Sequence, residues 1–322
     1  MRLERPFLKL PIRFDAEALA ADVRNLPSSA WVAHPSGFEG NEAVRLVTVG
    51  GKPTDDFHGE MGPTEQLLAC PYIMEVMAEL GGVWGRSRLM GLGPGAEVPL
   101  HVDQHYYWRT HWRIHIPIIT NPAVSFSCGP ETVHMAAGEC WLFDSFRWHR
   151  VRNAGSEQRV HLVIDTVGSE RLRQLMRMAR EGSANEDRLP PGSHVRPQLR
   201  YERMNSPAVM SPWEMRSHIG FLLNNVTPHP ILQAVVARLD QFADDWAIAW
   251  AQYGTQADGY ASYRALIGSL QDDLTRLRGG SIVLNNRLEL YQALENMVLI
   301  PALDDRASES RISEPPPARL AS

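Results

Sequence analysis

Residues 86–167 alternate apolar and polar positions in short runs: RSRLMGL at 86–92, EVPLHVD at 97–103, HWRIHIPII at 111–119, AVSFS at 123–127, ECWLFD at 139–144 and QRVHLVIDTV at 158–167. A period of two is that of a strand with one buried face, and turn residues bound each run. Six such strands in quick succession predict a sandwich or jelly roll. Two of the runs share a phrase, Arg113-Ile114-His115-Ile116 and Arg159-Val160-His161-Leu162, in which Arg and His occupy one face and the aliphatics the other. In a generic sandwich those polar faces would simply meet water. A barrel-like roll with a polar inner mouth and helix-covered apolar outer faces fits the alternation better.

The pattern outside this block is helical. Helices are expected over residues 15–25 and 63–80, flanking a Gly/Pro-rich segment at 34–62, so that residues 1–84 form a mixed lead-in. After Gly168 the period lengthens again. Ser211-Pro212-Trp213-Glu214 is a strong helix start, with a Ser cap, Pro at the first helical position and Glu completing a capping box. Amphipathic helices follow over 230–251, 260–278 and 285–298, where Leu232, Val236, Leu239, Phe242 and Trp246 recur at core spacing. The fold class is α+β: a double-stranded β-helix (jelly roll) core with flanking helices and a C-terminal helical subdomain. Its expected division is a jelly-roll core with N-terminal helices over 1–181, a Pro/Gly-rich linker over 182–210, helices over 211–303 and a disordered tail over 304–322.

Composition narrows the classes. With 322 residues, 44% of them hydrophobic, the chain can bury a large core. Its net charge of −5 and scattered arginines point away from nucleic-acid and anionic-membrane surfaces. Three cysteines without C-x-x-C spacing argue against a disulfide framework or a zinc ribbon and fit a reducing cytoplasm. The N-terminus carries charges where a secretory leader would be apolar, and no run is long enough to span a membrane. The helical region would be the surface for any homodimer.

The candidate chemistry lies in the β-rich block. His101 and Asp103 alternate on one strand, so both can reach one metal, and a distal His149 would close a triangle. Three protein ligands leave three positions open, which is the number needed by a bidentate keto acid and O2. Arg159, ten residues beyond His149, would pair its planar fork with the far carboxylate of that acid. This is the arrangement of a non-haem Fe(II), 2-oxoglutarate-dependent oxygenase, with Fe(II), 2-oxoglutarate and O2 as its cofactors and co-substrates. The Gly-rich stretch Gly91-Leu92-Gly93-Pro94-Gly95 is read as a backbone reversal; it lacks the lysine and the following helix of a phosphate loop. A cupin-like zinc hydrolase or a metal-free binding module is the rival of another class, but neither needs a cation at Arg159. Trp141 and Phe143 are expected to pack, Asp144 to cap a turn, and Trp148 and His105 to line or border the site. His134 and His161 stay open.

The text HVDQHYYWRTHWRIHIPI followed by HMAAGECWLFDSFRWHRVRNAGSEQRVHLVID resembles the aspartyl/asparaginyl β-hydroxylase family, with particular likeness to its bacterial L-proline cis-4-hydroxylases. The resemblance implies His101, Asp103 and His149 as iron ligands, Arg159 for the distal carboxylate of 2-oxoglutarate and His115 beside its metal-proximal end. It places Arg113, and less firmly Arg88, toward a substrate carboxylate. Peptide-modifying members lack the Asp ligand, so Asp103 moves the expected substrate toward a free, proline-like or other small amino acid. A residue tethered to a carrier protein or held in a peptide is the alternative.

Overall fold

The computed structural model describes residues 3–183, 185–194, 197–205, 207–278 and 281–304. The expected tail over 304–322 falls outside them beyond Asp304 itself. The chain divides into two units: Met1–Asp103 with Trp108–Asn205, and Gln104–Tyr107 with Ser206–Ser322. Among the described residues, no helix is long and apolar enough to cross a membrane.

In the first unit the chain order is β1 (Phe7–Phe14), α1 (Ala16–Arg24), β2 (Val32–Ala33), β3 (Asn41–Val49), β4 (Met61–Pro63), α2 (Glu65–Leu68), α3 (Pro71–Leu80), β5 (Val83–Leu92) and β6 (Glu97–His101). After the short helix α4 (Tyr106–Thr110) come β7 (Trp112–Ile119), β8 (Val124–Cys128), β9 (Glu131–Val133), β10 (Glu139–Phe143), β11 (His149–Asn153), β12 (Arg159–Thr166), α5 (Glu170–Arg180), β13 (Asp187–Leu189) and β14 (Arg200–Tyr201). Two sheets result. The larger runs β13-β1-β10-β7-β12-β5-β3-β2, with β14 on β5 and β4 on β3; the smaller runs β6-β11-β8-β9. Non-consecutive neighbours in both sheets are the mark of a jelly roll.

Side-chain period explains the two cores. On the large sheet Ile114, Ile116, Leu142, Val160, Leu162 and Ile164 join Leu19, Val23, Ile73, Val76, Leu172 and Leu175 of α1, α3 and α5 in one apolar cluster. The opposite face looks toward the small sheet, where Phe7, Leu92, Phe126, Cys128, Phe143 and Val151 form a second cluster. The polar members of the R-x-H phrases take that same inner side. Their alternation therefore reports an enclosed polar mouth with helices behind it, as the sequence pattern predicts.

Three expectations need correction. The lead-in expected to contribute helices also contributes strands: β1 pairs antiparallel with β10 and β3 with β5, and β3 lies inside the Gly/Pro-rich segment. The helix expected over 63–80 is interrupted, because Pro71 opens α3 and forces Cys70 out of helical conformation, at φ −114 and ψ 77. The stretch 182–210 supplies β13 and β14, which pair in parallel with β1 and β5.

The second unit holds α6 (Pro212–Leu223), α7 (Leu232–Tyr253), α8 (Tyr260–Arg276) and α9 (Leu290–Leu294), followed by a π-helical turn at Glu295–Leu299 and α10 (Ile300–Ala302). Ser211 caps α6 by accepting from the Glu214 amide, with Pro212 at the first position. Trp246 is fully buried against Phe242 and Tyr263, and its indole nitrogen donates to the Met210 carbonyl at 2.8 Å. The helix expected over 285–298 starts five residues late. Arg287 at φ +66 and the Val283–Glu289 bridge make a turn of residues 284–288 instead.

Candidate metal centre

The metal candidates sit where the small sheet begins. Antiparallel β6 and β11 place His101 opposite His149, with ring centroids 4.1 Å apart. Asp103 lies two residues past the end of β6, so the same-strand expectation for the HxD pair is corrected: irregular chain after the strand, not strand period, places its carboxylate. The backbone amide of Asp103 donates to the Ser145 carbonyl at 3.0 Å. Ligand atoms of His101, Asp103 and His149 all lie within 4.8 Å of one another, the single such group among the described residues.

Both imidazoles are aimed by backbone. Nδ1 of His101 faces the Pro99 carbonyl at 2.8 Å and Nδ1 of His149 faces the Arg147 carbonyl at 2.9 Å. Assigning the Nδ1 hydrogens to those carbonyls leaves each Nε2 lone pair pointing at the shared space, as a ligand requires. Burial, with His101 and Arg113 nearby, holds His149 well below the ordinary histidine range and so neutral. The turn 144–147 does double duty. Asp144, fully buried, accepts from the Arg147 Nε at 3.1 Å and from the Phe146 amide at 3.3 Å. The same turn carries the carbonyls of Ser145 and Arg147 that position Asp103 and His149. The expected cap at Asp144 is observed, and its consequence is a preformed candidate set of two imidazole nitrogens and one carboxylate.

The large sheet supplies the cations. Arg113 donates through Nη1 to Asp103 Oδ2 at 3.2 Å and through Nε to Asp165 Oδ1 at 3.1 Å, with its plane 3.6 Å from the Trp108 ring centroid. It therefore orients the carboxylate of a candidate ligand, a role the sequence reading did not give it. Arg88 is buried, with Nη1 at 3.0 Å from His34 Nε2 and Nη2 at 3.9 Å from Asp55. Arg86, on the same face of β5, stacks over Phe57 at 3.7 Å.

Arg159 is different. It is 4% exposed, and neither its Nε nor its Nη2 has a hydrogen-bond partner. Burial alone brings its pKa down to about 9. His115 is equally enclosed and both its ring nitrogens lack partners, while the rings of Phe126 and Phe143 stand 5.5 and 5.2 Å away. Burial first, then Arg159, Arg113 and His149, keeps His115 neutral. More than nine in ten buried polar groups in folded proteins are paired, so a buried guanidinium fork with open donors beside an unpaired imidazole fits a missing anion.

Other assignments sort as follows. Trp141 and Phe143 face the inner cluster and Leu142 the outer one, so they pack as expected. His134 is satisfied by the Val124 carbonyl at 3.0 Å, and His105 stacks on Tyr106 at 4.8 Å. Residues the sequence reading missed include Asp165 and Asn153. The fully buried Asn153 amide nitrogen lies 2.9, 3.0 and 2.7 Å from the carbonyls of Leu92, Gly93 and Glu157, tying the Gly-rich reversal to the end of β11. The Asn-Ala-Gly turn text was its only signal.

Residues 56–168 match the family model described as aspartyl/asparaginyl beta-hydroxylase, and the match includes His101, Asp103, Arg113, His115, His149 and Arg159. This segment, less than half of the chain, is similar to that family. Among curated proteins no relative matches the sequence significantly. Solved structures similar to this chain include an oxidoreductase of the 2OG-Fe(II) oxygenase family from Burkholderia pseudomallei, 16% identical, covering 52% of this chain and 88% of that one, with a TM-score of 0.37. A Pseudomonas putida prolyl-4-hydroxylase is also 16% identical, over 51% of this chain and 92% of that one, at a TM-score of 0.37. A predicted oxalate decarboxylase from Thermotoga maritima is 18% identical over 42% and 89%, at 0.27.

Proposed function

We propose that the protein is an Fe(II)- and 2-oxoglutarate-dependent dioxygenase that hydroxylates an unactivated C–H bond of a free, small amino acid. One observation carries the reading: a His-Asp-His ligand set accompanied by a buried arginine whose donor fork has no protein partner. A zinc hydrolase has no use for that second feature. His101, Asp103 and His149 would hold the metal, leaving three positions open. Bound iron would supply O2 activation coupled to oxidative decarboxylation of the keto acid. The protein groups do the rest. Arg159 binds the distal carboxylate of 2-oxoglutarate in a water-poor wall of Phe126, Phe143 and neutral His115, where the charge-assisted pair gains strength from the low dielectric. Arg113 fixes Asp103 through one donor and is itself fixed by Asp165. A substrate carboxylate docked along the Arg113 and Arg88 face would bring its C–H bonds beside the metal, and the bond held nearest would decide regiochemistry.

The test is incubation with a panel of free amino acids under Fe(II), ascorbate and 2-oxoglutarate, following succinate and a gain of one oxygen by mass spectrometry. A single hydroxylated amino acid with matched succinate is expected. Succinate release without any hydroxylated free amino acid would move the substrate to a peptide or carrier-bound residue. Absence of both, with no visible band on anaerobic addition of Fe(II) and 2-oxoglutarate, would overturn the oxygenase reading.

A further inference from the structure

Strand β12 exposes Arg159, His161, Val163 and Asp165 to one side, while Val160, Leu162 and Ile164 belong to the helix-covered core. His161 is 1% exposed, and neither ring nitrogen has a hydrogen-bond partner. A histidine that merely packs in a core ordinarily satisfies at least one nitrogen, because burying an unmade hydrogen bond is costly. His161 shares this condition with two neighbours. Its ring stands 5.9 Å from that of His115, and the partnerless fork of Arg159 belongs to the residue two positions back on the same strand face. Six nitrogens with no protein acceptor, two from each of these side chains, therefore line one enclosed stretch of the inner sheet face. Burial, followed by the charge of Arg159, keeps His161 neutral, so it offers one N–H donor and one acceptor.

We propose that His161 is a specificity-determining residue of the co-substrate site: its imidazole donates to the distal carboxylate that Arg159 grips and sets how long a keto acid the site accepts. The inference rests on the oxygenase reading and adds to it a residue for which that reading has no use. A five-carbon dicarboxylate chelating at the metal end has one carboxylate left, with more acceptor sites than the two donors of one guanidinium edge can fill. A side chain two positions from Arg159 on the same strand face is within reach of that group. Lengthening the acid by one carbon would drive its carboxylate into the imidazole, and shortening it would leave the ring donor unmatched.

The experiment uses the full-length protein and three keto acids: 2-oxoglutarate, oxaloacetate and 2-oxoadipate. Affinities are read anaerobically, by the visible band with Fe(II) and by calorimetry with a redox-inert divalent ion, in wild type, His161→Phe and His161→Gln. His161→Phe keeps the ring volume without a donor and should weaken 2-oxoglutarate binding by about tenfold or more, the loss expected for a hydrogen bond to a charged group. It should also narrow the preference over 2-oxoadipate, while metal affinity stays near wild type. His161→Gln should recover most of the affinity. Should the Phe variant fail to fold, nitrogen-15 NMR of the wild-type histidines takes its place: 2-oxoglutarate should shift the His161 ring nitrogens. Unchanged affinity and discrimination in the Phe variant, or an unshifted His161, overturns the proposal alone. A wild-type protein that binds no 2-oxoglutarate overturns the oxygenase reading and this proposal with it.

Discussion

Arg159→Met separates a buried charge kept for a ligand from one kept for the fold. In the ligand-free protein the Arg159 guanidinium is enclosed, two of its nitrogens lack partners, and its pKa has come down to about 9. A descent of that size corresponds to about 5 kcal/mol of disfavour for the charged form, at 1.36 kcal/mol per tenfold. Replacing a buried ion with an apolar side chain of similar volume commonly stabilises by about 1–4 kcal/mol. Met fills most of the same space without the charge. Its variant should therefore melt several degrees above wild type in the absence of co-substrate, at roughly 2–4 °C per kcal/mol for a unit of this size. With metal present and 2-oxoglutarate at about a hundred times its Kd, wild type should gain about 2.7 kcal/mol and the variant almost nothing. Differential scanning fluorimetry under nitrogen, with and without 2-oxoglutarate, reads both quantities. A variant that melts below wild type without ligand, yet still gains from 2-oxoglutarate, would show that Arg159 belongs to the structure and not to the site.

Three other outcomes follow from the same coordinates. Asp165→Val should lower metal affinity by about tenfold, since Arg113 loses the acceptor that aims it at Asp103; a metal titration checks this. Affinity for 2-oxoglutarate should be steady at neutral pH and fall as pH rises through about 9, because deprotonation of free Arg159 removes the charge the carboxylate pairs with; a flat profile through that range counts against the pairing. Glu139 accepts from Lys9 at 2.5 Å, Trp141 Nε1 at 2.9 Å and the Ala136 amide at 2.8 Å, and Lys9, Trp141 and that amide hold its pKa below the ordinary 4.5 against the opposing effect of burial. Its stabilisation is thus present above that value and lost as pH falls below it, and Glu139→Gln should cost about 1–3 kcal/mol in denaturant melts at pH 7.

Legibility in the sequence followed the reach of each interaction. Strands β5, β6, β7, β8, β10 and β12 announced themselves because a half-buried sheet writes its period locally, whereas β9 and β11 did not, and the candidate ligand types followed from His101, Asp103, His149 and Arg159 at their spacing. Placement of Asp103 did not. Its return to the metal depends on a hydrogen bond to Ser145, forty-two residues away, and no local pattern records such a contact. β1 and β3 were missed for the same reason: each follows Pro or Gly and becomes a strand by pairing with β10 and β5 farther along the chain. The two roles of Arg113 and the three-carbonyl anchor at Asn153 are likewise products of tertiary contact. In the R-x-H phrases the alternation gave the facing correctly but could not say whether that face met water or an enclosed interior; only the burial of His115, Arg159 and His161 decides it.

The two sheets divide the labour of the site. Both histidine ligands belong to the small sheet and Asp103 follows directly from it, aimed by the 99, 145 and 147 carbonyls, whereas every nominated cation belongs to the large sheet. Arg113 links the two sets through its hydrogen bond to Asp103. Metal affinity should therefore respond to changes on the large sheet chiefly through Arg113 and Asp165, while the acid-binding donors on β12 can vary without disturbing the ligand triangle. A jelly roll arranged this way can change which acid or substrate it accepts by substitution along β5, β7 and β12 and keep one metal geometry throughout, because the groups that choose and the groups that coordinate are carried by different backbones.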